Sequence, residues 1–359
     1  MTTTPIYWTG IDVAKNTFDA ALACTGYLHT DKGMEQMPVQ TFARTPEGVE
    51  QFLAWLERMT PQDEHEEAPI VRAVMEATGT YSLELTIWLL EKRPTLQPAI
   101  VNPRYTANYL KSLGLRNKTD RIEARALALY GWDRRPVPHE PMSPEQEQLR
   151  ALNRYRDTLL HEQVAERNRN GFLSPNKTVR KLAKDRLRQL KRHIEKVEKE
   201  MKTLIKESPA LKHDYDLLTS IPGVAFITAC VVLAELGDLR RFERARQLTA
   251  FVGVSPRTYE SGSSVRKRTR MCKTGNPRVR KGLYMAALVA SRNTKGPLNE
   301  MYTRLVQSGK APMAALGAVM RKLLVLMRAL LITDTPYDKN YRRRGIPVEN
   351  LALVGGKPM

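Results

Sequence analysis

Only three cysteines occur in 359 residues: Cys24, Cys230 and Cys272. They form no paired framework and no metal-ligand spacing, which excludes a disulfide-stapled domain and a cysteine zinc site. The six histidines do not pair with them. Long apolar runs are missing too. The most apolar stretch, FITACVVLAELG (226–237), is too short and too soon charged to cross a bilayer. Acids are in deficit, with 38 Asp and Glu against 58 Lys and Arg, a formal charge of +20. That surplus predicts a polyanionic partner, nucleic acid before an acidic membrane. No charged-then-apolar leader opens the chain, so the expectation is a soluble cytoplasmic protein with reduced thiols and no membrane partner.

Residues 1–140 alternate strand and helix signals. YWTGIDVA and FDAALACTG are expected to be adjacent strands joined by a short turn near Lys15 and Asn16. TPEGVEQFLAWLERM has apolar residues at helical spacing behind a Thr-Pro start. QDEHEEAP (62–69) is an acidic loop. IVRAVMEA and QPAIVNP are buried strands with the helical YSLELTIWLLEK between them. Strands interleaved with helices point to an α/β sheet. The proline-rich RRPVPHEPMSPEQ (134–146) then marks a boundary.

Residues 141–209 change character, with many charges and few β-branched runs. Leu187, Leu190, Ile194, Val197, Met201 and Leu204 step by three and four, a short heptad-like seam. NRNGFLSPNK (168–177) splits this segment into two helices. Two readings stay open: a helical hairpin closing on itself, or a coiled-coil seam shared between subunits. The second is favoured because one narrow stripe buries little within a single chain. In the mostly helical segment 210–335, LLTSIPGVAFITACVVLAEL is similar to a helix–hairpin–helix, whose Pro-Gly turn offers backbone N–H groups to a phosphate. Ala225 stands where that motif usually has a second glycine, and an ordinary tight turn between core helices fits as well. Residues 336–359 have the composition of a polar tail.

Four acids stand at strand ends and a helix start. Asp12 lies inside the short apolar strand GIDVA, where an unpaired carboxylate is costly. Glu76 ends VRAVMEA. Asp120 and Glu123, in KTDRIEARALALYG, share one helix face at i,i+3. Singly, each has a structural explanation: a helix-dipole charge, an ion pair with a neighbouring arginine, or a turn cap. Together they form a set of hard oxygen ligands that suits Mg²⁺ or Mn²⁺, and such ions stabilise phosphodiester transfer. In YESGSSVRKRTRMCKTG (259–275), three serines surround one glycine, and eight Lys/Arg follow from Arg266 to Lys281 without an acid. Those eight (Arg266, Lys267, Arg268, Arg270, Lys273, Arg278, Arg280 and Lys281) are candidate contacts to a nucleic-acid backbone.

The blocks GIDVAKNTFD, MEATGTY, NPRYTANYLKSLGLRNKTDRIEARALA, LLTSIPGV, ARQLTAFVGVSPRTYESGSSVRKRTRMCKTGN and RKGLYMAALVA, in that order, carry a resemblance to a known family. They resemble the bridge-RNA-guided insertion-sequence transposases, relatives of the Piv-type invertases, in which a RuvC-like DEDD domain precedes a serine-bearing domain. The resemblance covers the chain to about residue 335. It implies an RNase H-like fold for residues 1–140 and a metal-binding acidic quartet at Asp12, Glu76, Asp120 and Glu123. The fourth place usually holds Asp; here Glu123 carries its carboxylate one methylene further out. It implies a nucleophile at Ser261, which forms a covalent phosphoserine link to DNA. It further implies that the acids of one subunit work with the serine of another in a dimer assembling to a tetramer, and that a structured noncoding RNA pairs with target and donor DNA.

Overall fold

The computed structural model describes residues 6–24, 33–60, 69–114, 119–169, 174–261, 265–292 and 296–338, with the side chains of 259–268 outside the described set. The acidic segment 62–68 and the tail from 339 also lie outside it. The chain divides into two compact units, residues 1–141 and 142–359.

The first unit is built on a five-stranded sheet. Its strands are β1 (Ile6–Val13), β2 (Thr17–Ala23), β3 (Val39–Ala43), β4 (Ile70–Glu76) and β5 (Ala99–Val101), in the order β3-β2-β1-β4-β5. β1, β2 and β3 pair antiparallel, while β4 and β5 run parallel to β1. This is a mixed α/β arrangement consistent with an RNase H/RuvC-like domain. β1 and β2 meet at a tight turn closed by a 2.9 Å bond from Ala14 N–H to Thr17 O. Among the described residues, five α-helices join it: the short α1 (Gly33–Gln36), α2 (Pro46–Met59), α3 (Thr80–Lys92), α4 (Pro103–Ser112) and α5 (Asp120–Arg134).

Period-two alternation sorts the strand side chains onto two faces. Ile11, Val13, Phe18, Ala20, Leu22, Val71, Ala73 and Met75 join one core with α2 and α3, including Phe52, Trp55, Leu85 and Leu89. Trp8, Gly10, Ala21, Ala23 and Val74 face the other way, where α5 packs with Ala124, Leu127 and Ala128. α2 begins as the Thr-Pro signal predicts: Thr45 caps it, its hydroxyl accepting from Gly48 N–H at 3.1 Å, with Pro46 in the first turn.

Among the described residues, the second unit is helical apart from one β-hairpin. It holds α6 (Pro144–Asn168), α7 (Lys177–Glu207), α8 (Pro209–Thr219), α9 (Phe226–Leu236), α10 (Ala245–Val252), α11 (Pro277–Arg292), α12 (Pro297–Gln307) and α13 (Pro312–Thr333). α6 opens with a capping box between Ser143 and Gln146. The stripe on α7 is covered within the chain rather than left for a partner subunit. Leu190, Ile194, Val197 and Met201 are buried in one core with Leu149 and Leu159 of α6 and Leu211 of α8, and Leu187 and Leu204 are half-buried. The physical reason is that α6 runs back along α7, so a stripe too narrow to be buried alone becomes one side of a larger core. α9 is apolar all round and accordingly buried at the centre. Among the described residues, no helix is long and apolar enough to cross a membrane.

The Pro-Gly turn between α8 and α9 packs against α11. Gly223 has φ +91°, and a Cβ there would meet Ala286 O at 2.6 Å. Glycine is required by that contact and that dihedral, which is the tight-turn reading of this segment. The serine-bearing and basic segments on either side of residues 262–264 form a two-stranded ribbon, β6 (Pro256–Ser261) and β7 (Val265–Met271), while 262–264 themselves lie outside the described residues. Its register shifts between Arg257 and Tyr259, with Arg257 opposite Arg270 and Ser261 opposite Val265. No disulfide joins the three cysteines. Burial, as the first cause, pushes the Cys230 thiol up to about 12.

Candidate active site

The site begins at Gly10. A Cβ on that residue would lie 2.1 Å from Ala128 N and 2.2 Å from Ala124 O, so α5 rests directly on the β1 backbone. Gly131, one turn further along α5, is likewise pressed against Trp8. Residues 10 and 12 share a face of β1. The contact that docks α5 at Gly10 therefore brings the helix start towards Asp12.

α5 starts at a well-defined cap. Thr119 is the N-cap, its hydroxyl accepting from Ile122 N–H at 3.3 Å and its carbonyl accepting from Glu123 N–H at 2.9 Å. Asp120 and Glu123 lie in the first turn, where the unpaired N–H groups and the helix dipole favour negative charge. One carboxylate oxygen from each of Asp12, Asp120 and Glu123 lies within 4.8 Å of the others. Asp12 and Glu123 are half-buried and Asp120 is exposed. Burial first, then the charges of Glu123, Asp120, Glu76 and Asp19, push the Asp12 carboxyl up to about 7.

Glu76 stands at the end of β4 on the same sheet face. It adds to the negative field at Asp12 but is not one of the three carboxylates that meet within 4.8 Å. The Thr106 hydroxyl of α4 donates to its Oε1 and, from a buried position, fixes its orientation. Asp19 is a fifth acid that sequence reasoning missed. It sits directly across from Asp12 in the β1–β2 ladder and is 8% exposed, accepting from Thr41 Oγ1 at 2.5 Å. The signal was available: a tight turn centred on Lys15 and Asn16 pairs residue 12 with residue 19 by counting.

The trio offers only hard carboxylate oxygens, brought together against their mutual repulsion. That donor set fits a divalent cation with oxygen preference. Glu123, despite its extra methylene, still places an oxygen in the group.

In the second unit, Ser261 ends β6; its side chain and those of Arg266, Lys267 and Arg268 fall outside the described residues. Arg270 and Lys273 are exposed. The remaining three basic candidates make bonds within the chain. Arg280 donates to Val252 O at 2.8 Å, Lys281 pairs with Asp157 at 2.9 Å, and Arg278 lies 3.6 Å from the same carboxylate. Beside them, Glu235 is buried and held by Arg154 at 3.0 Å and Asn276 at 2.9 Å. Asn276 in turn accepts from Arg278 N–H and Val279 N–H at the start of α11.

Two family profiles match the chain. A DEDD transposase profile of the IS110 group covers residues 9–171, and one described as "Transposase IS116/IS110/IS902 family" covers 215–303. The pilin gene-inverting protein of Moraxella bovis is 31% identical over 330 residues, 92% of this chain and 97% of that protein. The chain belongs to the IS110 family of transposases. Other relatives of this transposase include the IS1111A transposase of Coxiella burnetii, 26% identical over 297 residues, 74% of this chain and 78% of that protein. The IS1328 transposase of Yersinia enterocolitica is 28% identical over 225 residues, 54% of this chain and 64% of that protein. The transposase is thus a DNA-recombining enzyme whose DEDD domain implies use of a divalent metal, and Asp12, Asp120 and Glu123 all fall within the residues that the DEDD profile matches.

Proposed function

We propose that this transposase cuts and rejoins DNA strands through a serine–phosphodiester intermediate, with Mg²⁺ held at the carboxylate cluster. The observation that carries the reading is the meeting of Asp12, Asp120 and Glu123 within 4.8 Å on an RNase H-like sheet. Asp12, Asp120 and Glu123 would hold the ion, with Glu76 beside them under the orientation of Thr106. When bound, such an ion neutralises charge that grows on a phosphate in transfer. Ser261 supplies the nucleophile. Its Oγ forms a bond to phosphorus, the bond from phosphorus to one deoxyribose oxygen breaks, that oxygen takes up a proton, and the serine proton is lost to water. The resulting diester keeps the energy of the broken bond, so strands can be exchanged without ATP. A nuclease using water would need no serine.

The base of the ribbon, four residues before Ser261, favours an anion nearby. Arg257 and Arg270 face each other across the ribbon, a like-charge pairing that costs stability and that a bound phosphate would relieve. Exposed Arg270 and Lys273 are the described cations of the basic run that would face such an anion. The same reading takes a structured guide RNA pairing with target and donor DNA, and a dimer assembling to a tetramer, with acids and serine contributed by different subunits. These rest on the family resemblance.

The test is Ser261→Ala with cognate DNA, Mg²⁺ and the noncoding RNA flanking the element. We expect loss of the covalent protein–DNA adduct on a denaturing gel with nucleic-acid binding retained. Recombination at the normal rate by the alanine variant would remove Ser261 from the mechanism. Cleavage without any adduct in the parent protein would favour a junction-resolving nuclease. Omitting the RNA tests guidance separately, and undiminished recombination without it would overturn that element.

A further inference from the structure

The basic run near Ser261 is one cluster of cations. α7 carries a second one. Lys177, Lys181, Lys184, Arg188, Arg192 and Lys199 step by three, four or seven residues and therefore share one helix face. All six are exposed. At about 1.5 Å per residue, the row from Lys177 to Lys199 runs about 33 Å. The opposite face of the helix, from Leu190 to Ile205, is buried in the core of the second unit.

Three features set this face apart from an ordinary solvated surface. Cations at i,i+4 and i,i+3 repel one another along the helix, and Lys177, Lys181, Lys184 and Arg188 form an unbroken series of such neighbours. The first turn contains no acid, so Lys177 and Arg180 stand at the positive end of the dipole, where a cation is disfavoured. Two other cations of this hairpin are paired across it: Arg186 with Glu162 at 3.0 Å and Arg156 with Glu198 at 2.7 Å. Within the row, Arg188 has an acid beside it in Asp185. Among the described residues, none of Lys177, Lys181, Lys184, Arg192 and Lys199 pairs with a carboxylate. Most of this row therefore stands unpaired at a cost to the helix, with Asp185 and the exposed Glu195 as the acids beside it.

We infer that the exposed face of α7 is a docking surface for the phosphate backbone of duplex DNA. This rests on the reading of the chain as a DNA-recombining enzyme and adds a surface that neither the carboxylate cluster nor the basic ribbon supplies. A duplex presents one negative charge per about 1.7 Å of axis, so about 33 Å of duplex carries roughly twenty phosphates, of which the near side faces the helix. The contact is made to the backbone and carries no base readout. An anionic membrane is the poorer fit, because the apolar face that an interfacial helix inserts is already consumed by the core.

The experiment replaces Lys177, Lys181, Lys184 and Arg188 with glutamine in the full-length chain. A control variant carries the same four-charge loss at Arg58, Arg134, Arg304 and Lys310, all exposed and off this face. Binding to a duplex DNA of arbitrary sequence is measured across a salt series, with a duplex RNA of equal length in parallel. The α7 variant should lose about tenfold or more in DNA affinity, and its log K against log salt slope should fall by about 3, near 0.9 per phosphate no longer neutralised. The control should keep nearly the parental slope, and both variants should keep the parental melting profile. Equal losses in the two variants, an unchanged slope, or a loss confined to RNA each overturn the inference. Parental protein that fails to bind duplex DNA at all would instead overturn the DNA-acting reading on which it rests.

Discussion

Replacing Asp12 with asparagine should stabilise the metal-free protein, although the residue lies at the centre of the site. The Asp12 carboxyl is raised from 3.8 to about 7 in the folded protein by burial and by the surrounding acids. A folded-state pKa above the unfolded one means that the folded protein binds more protons between those values. Stability therefore falls as pH rises from about 4 to about 7, and the penalty is complete above that window. A shift of this size is worth about 4 kcal/mol at most. Asp12 is only half-buried, and solvent screening reduces the figure to about 1–2 kcal/mol. For a unit of this size that is about 3–8 °C in melting temperature. The assay is clean because all four tryptophans, Trp8, Trp55, Trp88 and Trp132, lie in the first unit. Tryptophan fluorescence melts in chelator at about pH 8 should show Asp12→Asn above the parent, and the gap should close at about pH 4. Excess Mg²⁺ should raise the parent and leave the variant nearly unmoved. A variant that melts below the parent at the higher pH without metal would refute the reasoning, since the cluster would then not be strained by its own charge.

Gly10→Ala should cost several kcal/mol, or about 3 or more, because its methyl group would collide with the α5 backbone; loss of Mg²⁺-dependent stabilisation in fluorescence melts would check it. Thr106→Val should leave the fold intact, release Glu76 from its hydroxyl partner and lower strand cleavage about tenfold, read as a change in rate at saturating DNA with unchanged binding. Glu235→Ala should destabilise the second unit by about 2–4 kcal/mol, since Arg154 and Asn276 lose a buried acceptor; far-ultraviolet circular dichroism in urea measures it. Cys230 should resist alkylation at about pH 8 in the folded protein while Cys24 and Cys272 react, because only thiolates attack and burial suppresses this one; peptide mass spectrometry reads the difference.

Much of the first unit was legible because its strands alternate or run apolar and its helices carry caps. GIDVA, VRAVMEA and the Thr-Pro start of α2 announced themselves. β3 did not: VQTFA is short and only Phe42 is buried. α4 was unassigned because its sequence, PRYTANYLKS, is mostly polar, although Asn102 and Pro103 are a helix-start pair. The four acids could be picked from their strand-end and helix-start positions. The meeting of Asp12, Asp120 and Glu123 could not, because it depends on the backbone contact at Gly10, and a glycine in a strand can signal a turn, a bulge or a close approach alike. The strands of the basic ribbon were not legible because Lys and Arg carry no hydrophobic alternation, and pairing of β6 with β7 is what makes the strands. On α7 the apolar stripe was visible, but its occupant was not. Sequence periodicity tells which face is buried and is silent on whether the cover comes from the same chain.

Because α5 leans on main-chain atoms of β1, the spacing of the carboxylates is inherited from the peptide framework. Neighbouring side chains can be exchanged over many generations without shifting that spacing, provided position 10 never gains a methyl group. The cluster can thereby keep its spacing while side chains around it change.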